Sequence, residues 1–415
     1  MAFAQDATQQ PGPIFSTVLA GMRINGFLVG SFHYNYRIQL VPEFAGGAPR
    51  LSEPRATSFR FDKFGIGMSR VFASWLSASA AIEVESHRDS HSHGFDPDFG
   101  CFGDGPCIES FGAEEAETVV NLDKFAVNAV APLGNGLTIS VGRFDVPFGI
   151  ERHDEILLLT STTSEVFRYG RPDKMTGLQT NYTFTPEFDA SFWVVNRMES
   201  ETTHDDFNDN NKGKSVGGRL GITPVHGNSI VNFGVGTFFG SEREEEGRRS
   251  LLDLDFTYSQ NNGLLLAAEF VYGRESHVSF RERGTPFPSP AIEDADVSWY
   301  GFYGLGHCDV KDWLGLSFRY GLFQDEDGAR TGVEQRLQSI SFGPTFHLSR
   351  LIPGLRSTGV SYARTRHPID WVDLKVEWRI NYSDEPVFSD AAPAVDILEA
   401  EKSSHQFQTQ LVVNF

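Results

Sequence analysis

The sequence predicts an all-β fold, a transmembrane antiparallel up-and-down β-barrel of about 16 strands, with 18 as the alternative count. Stretches that alternate between apolar and polar side chains recur from residue 24 to residue 415. The connections between them are alternately short, as at residues 132–136, 259–263 and 307–311, and long, and the chain ends on the aromatic residue Phe415. Bacterial outer-membrane barrels have an even number of strands, short periplasmic turns and long extracellular loops.

Hydropathy and length argue against the other architectures. The chain has 415 residues, and its net charge is -20. A helical membrane protein needs runs of about 18 or more apolar residues, whereas the longest candidate, residues 264–268, stops at Glu269. A soluble protein of this length usually divides into about two to four domains. Because the same alternating stretches and turns continue along this chain, one barrel is predicted over residues 22–415.

The amino-terminal segment, residues 1–21, is expected to lie outside the barrel. Ala2, Phe3 and Ala4 resemble the small-residue cleavage site of a secretory signal peptide. We interpret residues 1–21 as a signal-peptide remnant followed by a short polar segment on the periplasmic side. This interpretation predicts export across the inner membrane.

The predicted strands each have one apolar and one polar face, because successive side chains of a strand point to opposite sides. The last strand places Phe407, Leu411, Val413 and Phe415 on its apolar face. An alternating terminal strand that ends on an aromatic residue resembles the signal read by the barrel assembly machinery, so these four residues form the predicted assembly signal. The other clear strands are residues 24–36, 75–87, 178–184, 188–195, 252–258, 314–322 and 374–382.

Alternation alone does not distinguish a membrane barrel from a β-sandwich or a soluble barrel, in which the apolar face packs inward. The number of strands, the terminal Phe415 and the unequal connections favour the membrane barrel. The strand count depends on residues 344–373, which contain three prolines and have weak periodicity. They could hold one extra hairpin or an inserted periplasmic turn. A barrel of either size encloses an aqueous channel.

Three segments of the chain resemble a known family. Residues 142–151, GRFDVPFGIE, resemble the G-[KR]-F-x-x-P-F-G-x-E segment of the OmpL-like β-barrel porins, the family called porin-2. Residues 299–332 are similar to a late hairpin of that family, and residues 374–379 resemble its penultimate strand. The resemblance covers nearly the whole chain from residue 22.

The resemblance implies a water-filled channel of the Gram-negative outer membrane for passive diffusion of small hydrophilic solutes or ions. The implied surroundings are outer-membrane lipid and lipopolysaccharide, with the barrel assembly machinery as a partner during biogenesis and a homotrimer as one possible assembly. No cofactor and no nucleic acid are expected. Two other functions stay open: a non-conducting surface barrel that binds a partner through its loops, and a barrel-rim enzyme. The enzyme is disfavoured because it would need a nucleophile and a base that converge at one level of the barrel wall.

The polar strand faces supply the candidate pore-lining residues. Acidic side chains outnumber basic ones among them, and the net charge of the chain is negative, so a mild cation preference is predicted. The alternative is that these side chains are solvated wall residues without individual roles. The acidic candidates are Glu83, Glu85, Asp189, Asp253, Asp255, Glu269 and Glu377, and the basic ones are Arg219, Arg319, Lys375 and Arg379.

Residues 148–176 are the candidate constriction loop. They contain the apolar run 156–159, which would be unfavourable if it were left in water. We therefore expect the loop to fold against the inner wall, although a surface lid that never enters the channel is the alternative. The charged residues expected to narrow the pore are Asp154, Glu155, Arg168 and Arg171.

The long loop 88–118 suggests a disulfide more than a metal site. Cys101 and Cys107 could close a small ring worth roughly 2 kcal/mol. His87, His91 and His93 lie near acidic residues, but their spacing is not a tight ligand pattern. No metal site is predicted, and Cys308 has no evident partner.

Overall fold

The computed structural model describes residues 22–35, 38–41, 50–51, 58–87, 117–196, 213–241, 247–280, 292–352, 361, 367–389 and 401–415. Within them, 16 strands form a closed antiparallel β-barrel. This finding confirms the predicted fold class and the lower of the two strand counts. The amino-terminal segment 1–21, with its predicted cleavage site, lies outside the described residues, as do Cys101 and Cys107.

The barrel strands follow one another around the wall in chain order. They are β1 (Met22–Asn35), β2 (Ser58–Ala73), β3 (Leu76–His87), β4 (Glu117–Ala131), β5 (Leu137–Asp145), β6 (Lys174–Thr185), β7 (Phe188–Val195), β8 (Ser215–Ile222), β9 (Ser229–Ser241), β10 (Arg248–Gln260), β11 (Leu264–Phe280), β12 (Ile292–Lys311), β13 (Leu314–Asp325), β14 (Gln335–His347), β15 (Val372–Ser383) and β16 (Ser403–Asn414). Three short strands, Ile38–Val41, Arg50–Leu51 and Phe388–Ser389, pair with one another in a separate small sheet.

The barrel closes between its first and last strands. β1 and β16 pair antiparallel from Phe27 opposite Asn414 to Asn35 opposite Gln406. A closed sheet has no open edge, and every backbone polar group within a membrane must find a partner inside the protein. Closure therefore satisfies the main requirement for a β-structure in lipid.

The two faces of the wall differ in chemistry as the alternation predicts. In β10, Leu254 on the outer face is 41% exposed, whereas Asp253 and Asp255 on the inner face are buried. Outward-facing apolar side chains recur around the barrel, and Phe342 and Trp378 are further examples. A soluble protein seldom exposes so continuous an apolar surface, but a bilayer accommodates it.

The connections divide the barrel into two unequal ends. One end carries the short turns 74–75, 132–136, 186–187, 223–228, 261–263 and 312–313, and the other carries connections such as 88–116, 146–173 and 196–214. We assign the short-turn end to the periplasm because outer-membrane barrels have this asymmetry. No helix in the described part of the chain is long and apolar enough to span a membrane.

Residues 348–371 form an inserted connection at the short-turn end. The insert begins with the 3-10 helix Leu348–Leu351, and Ser361 forms an isolated bridge with Pro368. Its described residues contribute no strand to the barrel, and the strands on either side of it pair directly with each other, so this region is an inserted turn and not an extra hairpin. Residues 307–311, which the sequence suggested as a short turn, belong to β12 instead, and the turn is 312–313.

Deleting Phe415 is expected to impair assembly in cells more than it destabilises the refolded barrel. Phe415 forms two backbone hydrogen bonds with Gly26, of 2.7 and 2.8 Å, and its ring stacks on Phe64. These contacts contribute roughly 2 to 4 kcal/mol, whereas the deletion removes the end of the predicted assembly signal. Outer-membrane levels in cells and urea unfolding of refolded protein measure the two effects. Normal outer-membrane levels of the truncated protein would contradict the prediction, and Phe342→Ala on the outer face is the matched control.

Candidate channel constriction

The connection between β5 and β6, residues 146–173, lies inside the barrel and contacts several sectors of its inner wall. It contains the 3-10 helix Glu155–Leu157 and one five-residue π-helical turn, Val166–Gly170. Its partners on the wall come from strands as far apart in sequence as β2, β11 and β15. We call residues 146–173 the inner loop.

Apolar side chains attach the first part of the inner loop to the wall. Phe148 is fully buried, and its ring centroid lies 5.7 Å from that of Trp193 on β7. Gly236 on β9 leaves the space that Phe148 fills, because a Cβ atom there would lie 2.9 Å from the Phe148 side chain. The cluster also contains Val146, Ile150 and Val166 from the inner loop and Phe238, Leu251, Val271 and Tyr303 from the wall.

The predicted apolar run, residues 156–159, contributes less to this attachment than expected. Leu158 is buried, whereas Ile156 and Leu159 are only partly buried. Ile156 packs against Phe27 and its neighbours on β1 and β16. The main apolar contact is therefore made by residues that flank the run in sequence.

Arg319 on β13 holds the middle of the inner loop. Its Nη1 donates to Glu151 Oε1 at 2.9 Å and to Thr160 Oγ1 at 2.8 Å. Its Nη2 donates to Thr162 Oγ1 at 2.8 Å and to the Thr163 carbonyl at 3.0 Å. The side chain is fully buried. One guanidinium thus satisfies acceptors from two separate parts of the inner loop.

β15 contacts the same stretch through three neighbouring inward side chains. Glu377 accepts hydrogen bonds from the backbone N–H groups of Ser161 and Thr162, at 2.7 and 2.9 Å. Lys375 Nζ donates to the carbonyls of Glu155 and Leu158, at 2.7 and 2.6 Å. The third side chain, Arg379, donates to the carbonyl of Thr163 and to the carboxylate of Glu165.

The end of the inner loop is held by a buried ion pair. Arg171 Nε donates to Glu269 Oε1 on β11 at 2.6 Å, and Arg171 Nη2 donates to the Glu151 carbonyl at 2.6 Å. Glu269 Oε2 accepts from the Ile150 N–H at 2.8 Å and from the Tyr303 hydroxyl at 2.9 Å. Both ends of the inner loop therefore converge on one carboxylate of the wall.

The opposite side of the lumen carries a mixed cluster of lysines and carboxylates. Lys63 Nζ on β2 lies 2.9 Å from Glu85 and 3.3 Å from Glu83, both on β3, and 3.5 Å from Glu155 of the inner loop. His153 Nε2 lies 2.9 Å from Glu85 Oε1. Further pairs join Lys124 to Asp154 and Asp145, and Lys174 to Asp145 and Asp123. The carboxylates on this side are thus largely paired with cationic groups.

The surroundings of the inner loop shift the pKa values of its charged groups. Burial opposes the charged form of His153, but the hydrogen bond and charge of Glu85 raise the pKa of the imidazole to about 10. Burial likewise disfavours ionised Asp154, and the surrounding lysines nevertheless hold the pKa of that carboxyl well below its usual range. Burial raises the pKa of Glu151, although Arg319 opposes the shift. At neutral pH we therefore expect His153 to be protonated and Asp154 to be ionised.

A comparison with protein families identifies the chain. The family model described as "Putative beta-barrel porin-2, OmpL-like" matches residues 62–415. The chain belongs to this porin family. It is an integral β-barrel of the Gram-negative outer membrane, and the family is one of channel-forming proteins. No curated protein matches the chain.

Solved outer-membrane proteins share the fold at low sequence identity. OprB of Pseudomonas putida is 12% identical with a TM-score of 0.56, over 95% of this chain and 94% of that one. OmpF of Salmonella typhi, in complex with daunomycin, is 12% identical with a TM-score of 0.53, over 95% and 97%. The outer membrane channel DcaP of Acinetobacter baumannii is 13% identical with a TM-score of 0.51, over 95% and 98%. At these identities the similarity shows the fold alone.

The structure places the candidate pore-lining residues of the porin inside the barrel, where most of them are paired. Arg219 donates to both oxygens of Asp255, at 3.0 and 2.7 Å, and lies 3.8 Å from Asp189. Asp253 is fully buried on the same strand as Asp255. Most of the others contact the inner loop directly or through a neighbour. The buried ones are Glu83, Glu85, Arg219, Asp253, Asp255, Glu269, Arg319, Lys375, Glu377 and Arg379.

The candidate constriction residues occupy three parts of the inner loop. Asp154 and Glu155 face the lysine side, and Arg171 pairs with Glu269. Arg168 is half-buried in the Val166–Gly170 turn. Sequence reasoning missed Glu151, His153 and Glu165 as anchoring residues, along with Lys63, Lys124 and Lys174 on the wall. A signal was present, since Lys63 and Lys124 occur in the repeated segments FDKF and LDKF.

His153 is expected to make the docking of the inner loop dependent on pH. Its pKa is about 10, above the ordinary value of 6.5, so its contribution is complete below about pH 6.5 and is lost as the pH rises through about 10. His153→Gln should therefore increase current noise most at low and neutral pH, and the difference from wild type should disappear above about pH 10. Single-channel recordings from pH 6 to 11 measure this difference. A constant difference across that range would contradict the assignment.

Proposed function

We propose that this porin is a passive channel for small hydrophilic solutes and ions, and that the inner loop sets its permeability. The observation that carries the proposal is the position of residues 146–173 within the lumen, anchored by Arg319, Arg171 and β15. A 16-strand barrel without such a loop encloses a wide aqueous channel. A loop fixed across it restricts passage by size while leaving the wall intact.

The proposed role requires no chemistry from the protein, and we propose that it has no enzymatic activity. The charged side chains around the inner loop are arranged as mutual ion pairs and as hydrogen bonds to backbone groups. Such an arrangement positions a loop, and a nucleophile paired with a base is not needed to account for it. In the liposome-swelling experiment, the test sugars should therefore be recovered chemically unchanged.

Liposome swelling tests the size restriction. Proteoliposomes that contain the refolded porin should swell quickly in isotonic arabinose and much more slowly in a trisaccharide such as raffinose. A variant with residues 151–170 replaced by a short Gly-Ser linker should admit both sugars. Equal rates for both sugars in the wild-type porin, or no swelling in either, would overturn the proposal.

We further propose a mild cation preference. The acidic candidates outnumber the basic ones, and the whole chain carries a charge of -20. The pairing of Glu83 and Glu85 with Lys63, and of Asp255 with Arg219, makes the local field short in range. The preference should therefore be weak and should decrease as salt rises, because the Debye length falls from about 10 Å at 0.1 M to about 3 Å at 1 M.

Neutralising Glu83 and Glu85 is expected to shift selectivity toward anions. Glu83→Gln with Glu85→Gln leaves Lys63 with Glu155 as its remaining carboxylate within 4 Å among the described residues. The local charge becomes more positive, so the reversal potential in a 0.1 M to 0.01 M KCl gradient should move toward the chloride potential, and the shift should shrink in 1 M salt. Glu187→Gln, at an exposed periplasmic turn, is the matched control. An unchanged reversal potential would refute a selective role for these two carboxylates.

The lipid contacts, the assembly partner and the oligomeric state of the porin are also proposals. The apolar outer face supports contact with outer-membrane lipid and lipopolysaccharide, and the outward positions of Phe407 and Leu411 support recognition of the last strand by the assembly machinery. A homotrimer stays a prediction, which chemical cross-linking of the detergent-solubilised porin tests. A single cross-linked species of monomer mass would count against it.

A further inference from the structure

A cluster of imidazole and carboxylate groups lies at the periplasmic end of the barrel, away from the inner loop. It joins the end of β12, the end of β14 and the inserted connection 348–371. The residues are His307 and Asp309 from β12, His347 from β14, Arg350, His367 and Asp370 from the insert, and Asp373 from β15. We call these seven residues the histidine cluster.

Two imidazoles of the histidine cluster converge on one carboxylate oxygen. Asp309 Oδ1 lies 3.1 Å from His307 Nε2 and 3.2 Å from His347 Nε2. The third imidazole, His367, has its ring centroid 4.5 Å from that of His307. His307, Asp309 and His367 each offer a ligand atom within 4.8 Å of the others. The three histidines are buried.

The second ring nitrogen, Nδ1, of both His307 and His347 also has a partner. His307 Nδ1 lies 2.8 Å from Ser317 Oγ, and His347 Nδ1 lies 2.9 Å from Asp373 and 3.0 Å from Asp370. Metal-binding histidines usually have their second nitrogen engaged in this way, because the contact fixes the ring and leaves the first nitrogen for the metal. The arrangement is thus that of two oriented ligands facing a shared acceptor.

The charges of the histidine cluster leave room for a divalent cation. Three carboxylates face one guanidinium, Arg350, which lies 2.8 Å from Asp309 and 2.7 Å from Asp370. The excess of two negative charges can be balanced by protons on two imidazoles or by one divalent ion. One oxygen of the cluster, Oδ1 of the fully buried Asp370, has no hydrogen-bond partner among the described residues.

We propose that His307, Asp309 and His367, with His347 as a further ligand, bind a divalent transition-metal ion such as Zn²⁺. Imidazole and carboxylate are ligands that Zn²⁺ and its neighbours in the series prefer, whereas Ca²⁺ and Mg²⁺ prefer oxygen alone. The ion replaces the protons between the imidazoles and Asp309. It links the inserted connection to the barrel wall at the periplasmic mouth, which goes beyond the proposed diffusion of solutes and does not depend on it.

Cobalt spectroscopy of the refolded full-length porin tests the proposal. Titration with Co²⁺ should produce visible d–d absorption that saturates near one equivalent and disappears when Zn²⁺ is added. The double substitution His307→Ala with His367→Ala should weaken Co²⁺ binding at least tenfold. Heat modifiability on gels verifies that each variant is folded. Absorption that is absent from the wild type, or unchanged in the double variant, would overturn the proposal.

Two matched variants separate this site from the loop histidines and from the exposed thiol. The triple substitution of His87, His91 and His93 by alanine removes the loop histidines, which lie outside the described side chains, and Cys308→Ser removes the exposed thiol. Both should keep full Co²⁺ binding. Loss of binding in either variant would assign the metal elsewhere. If the double variant does not fold, X-ray absorption of the Zn²⁺-loaded triple variant decides, since two or more imidazole ligands are expected and an all-oxygen shell would contradict the site.

Discussion

Replacing Arg319 with methionine is expected to release the middle of the inner loop and to raise the single-channel conductance severalfold. The guanidinium is fully buried, pairs with Glu151 and bonds the inner loop at three threonines. Removing one partner of a buried pair typically costs about 3 to 5 kcal/mol, because the remaining charge is left uncompensated. Glu151, itself buried, would then favour a conformation in which it reaches water. Planar-bilayer recordings measure the conductance and its fluctuations.

Arg274→Met is the matched control for that substitution. Arg274 pairs with Asp296 at 2.8 Å, but both side chains are more than half exposed. An exposed pair of this kind contributes about 0 to 1 kcal/mol, so the control channel should conduct as the wild type does. If Arg319→Met and Arg274→Met gave the same conductance, the anchoring role of Arg319 would be wrong.

Replacing Phe148 with alanine is expected to detach the first part of the inner loop from the wall. The ring is fully buried against Trp193 and above Gly236. Truncating a buried Phe to Ala typically costs about 3 to 5 kcal/mol, since both transfer free energy and packing are lost. Hydrogen exchange measured by mass spectrometry should then show faster exchange in residues 146–173 while the barrel strands stay protected.

Phe239→Ala, three residues from Gly236 on the same strand, is the control for Phe148→Ala. Phe239 is on the outer face and 54% exposed, so its loss should leave exchange in the inner loop unchanged. Equal protection of residues 146–173 in wild type and Phe148→Ala would show that the apolar cluster does not hold the inner loop.

The strands of this barrel could be predicted from the sequence because their pattern depends only on residues that are neighbours in the chain. Each strand must present an apolar face to lipid and a polar face to the lumen, and this requirement appears directly as a period of two. The strand count needed the structure, since the weak periodicity of residues 344–373 fits either a hairpin or an insert. The predicted constriction loop, residues 148–176, begins and ends within three residues of the connection that the structure shows.

The anchoring contacts could not be predicted, because they join residues far apart in sequence. Inward Trp193 and Phe238 look out of place on the polar face of a channel until the apolar side of the inner loop covers them. Lys63 reads as an ordinary wall residue, although it lies between two strands and the inner loop. The lumenal charges were predicted as a mixed set with acid in the majority, but the pairing of most of them was not predicted.

The histidine cluster was hidden for a related reason. Residues 307–311 looked like a turn, so the alternation that places His307 and Asp309 on the same inner face was not applied to them. His347 and His367 are brought together by the insert, whose path does not follow from periodicity. The strand register and the fold of a non-repetitive connection are both needed to assemble such a cluster.

Single-channel recording of the wild-type porin in planar bilayers tests whether the barrel conducts and whether the inner loop limits its conductance. With folding verified by heat modifiability, we expect steady, ohmic openings in 1 M KCl, with a conductance that rises severalfold when residues 151–170 are replaced by a short Gly-Ser linker. Silent bilayers with folded wild-type protein, or the same conductance with and without the inner loop, would contradict it.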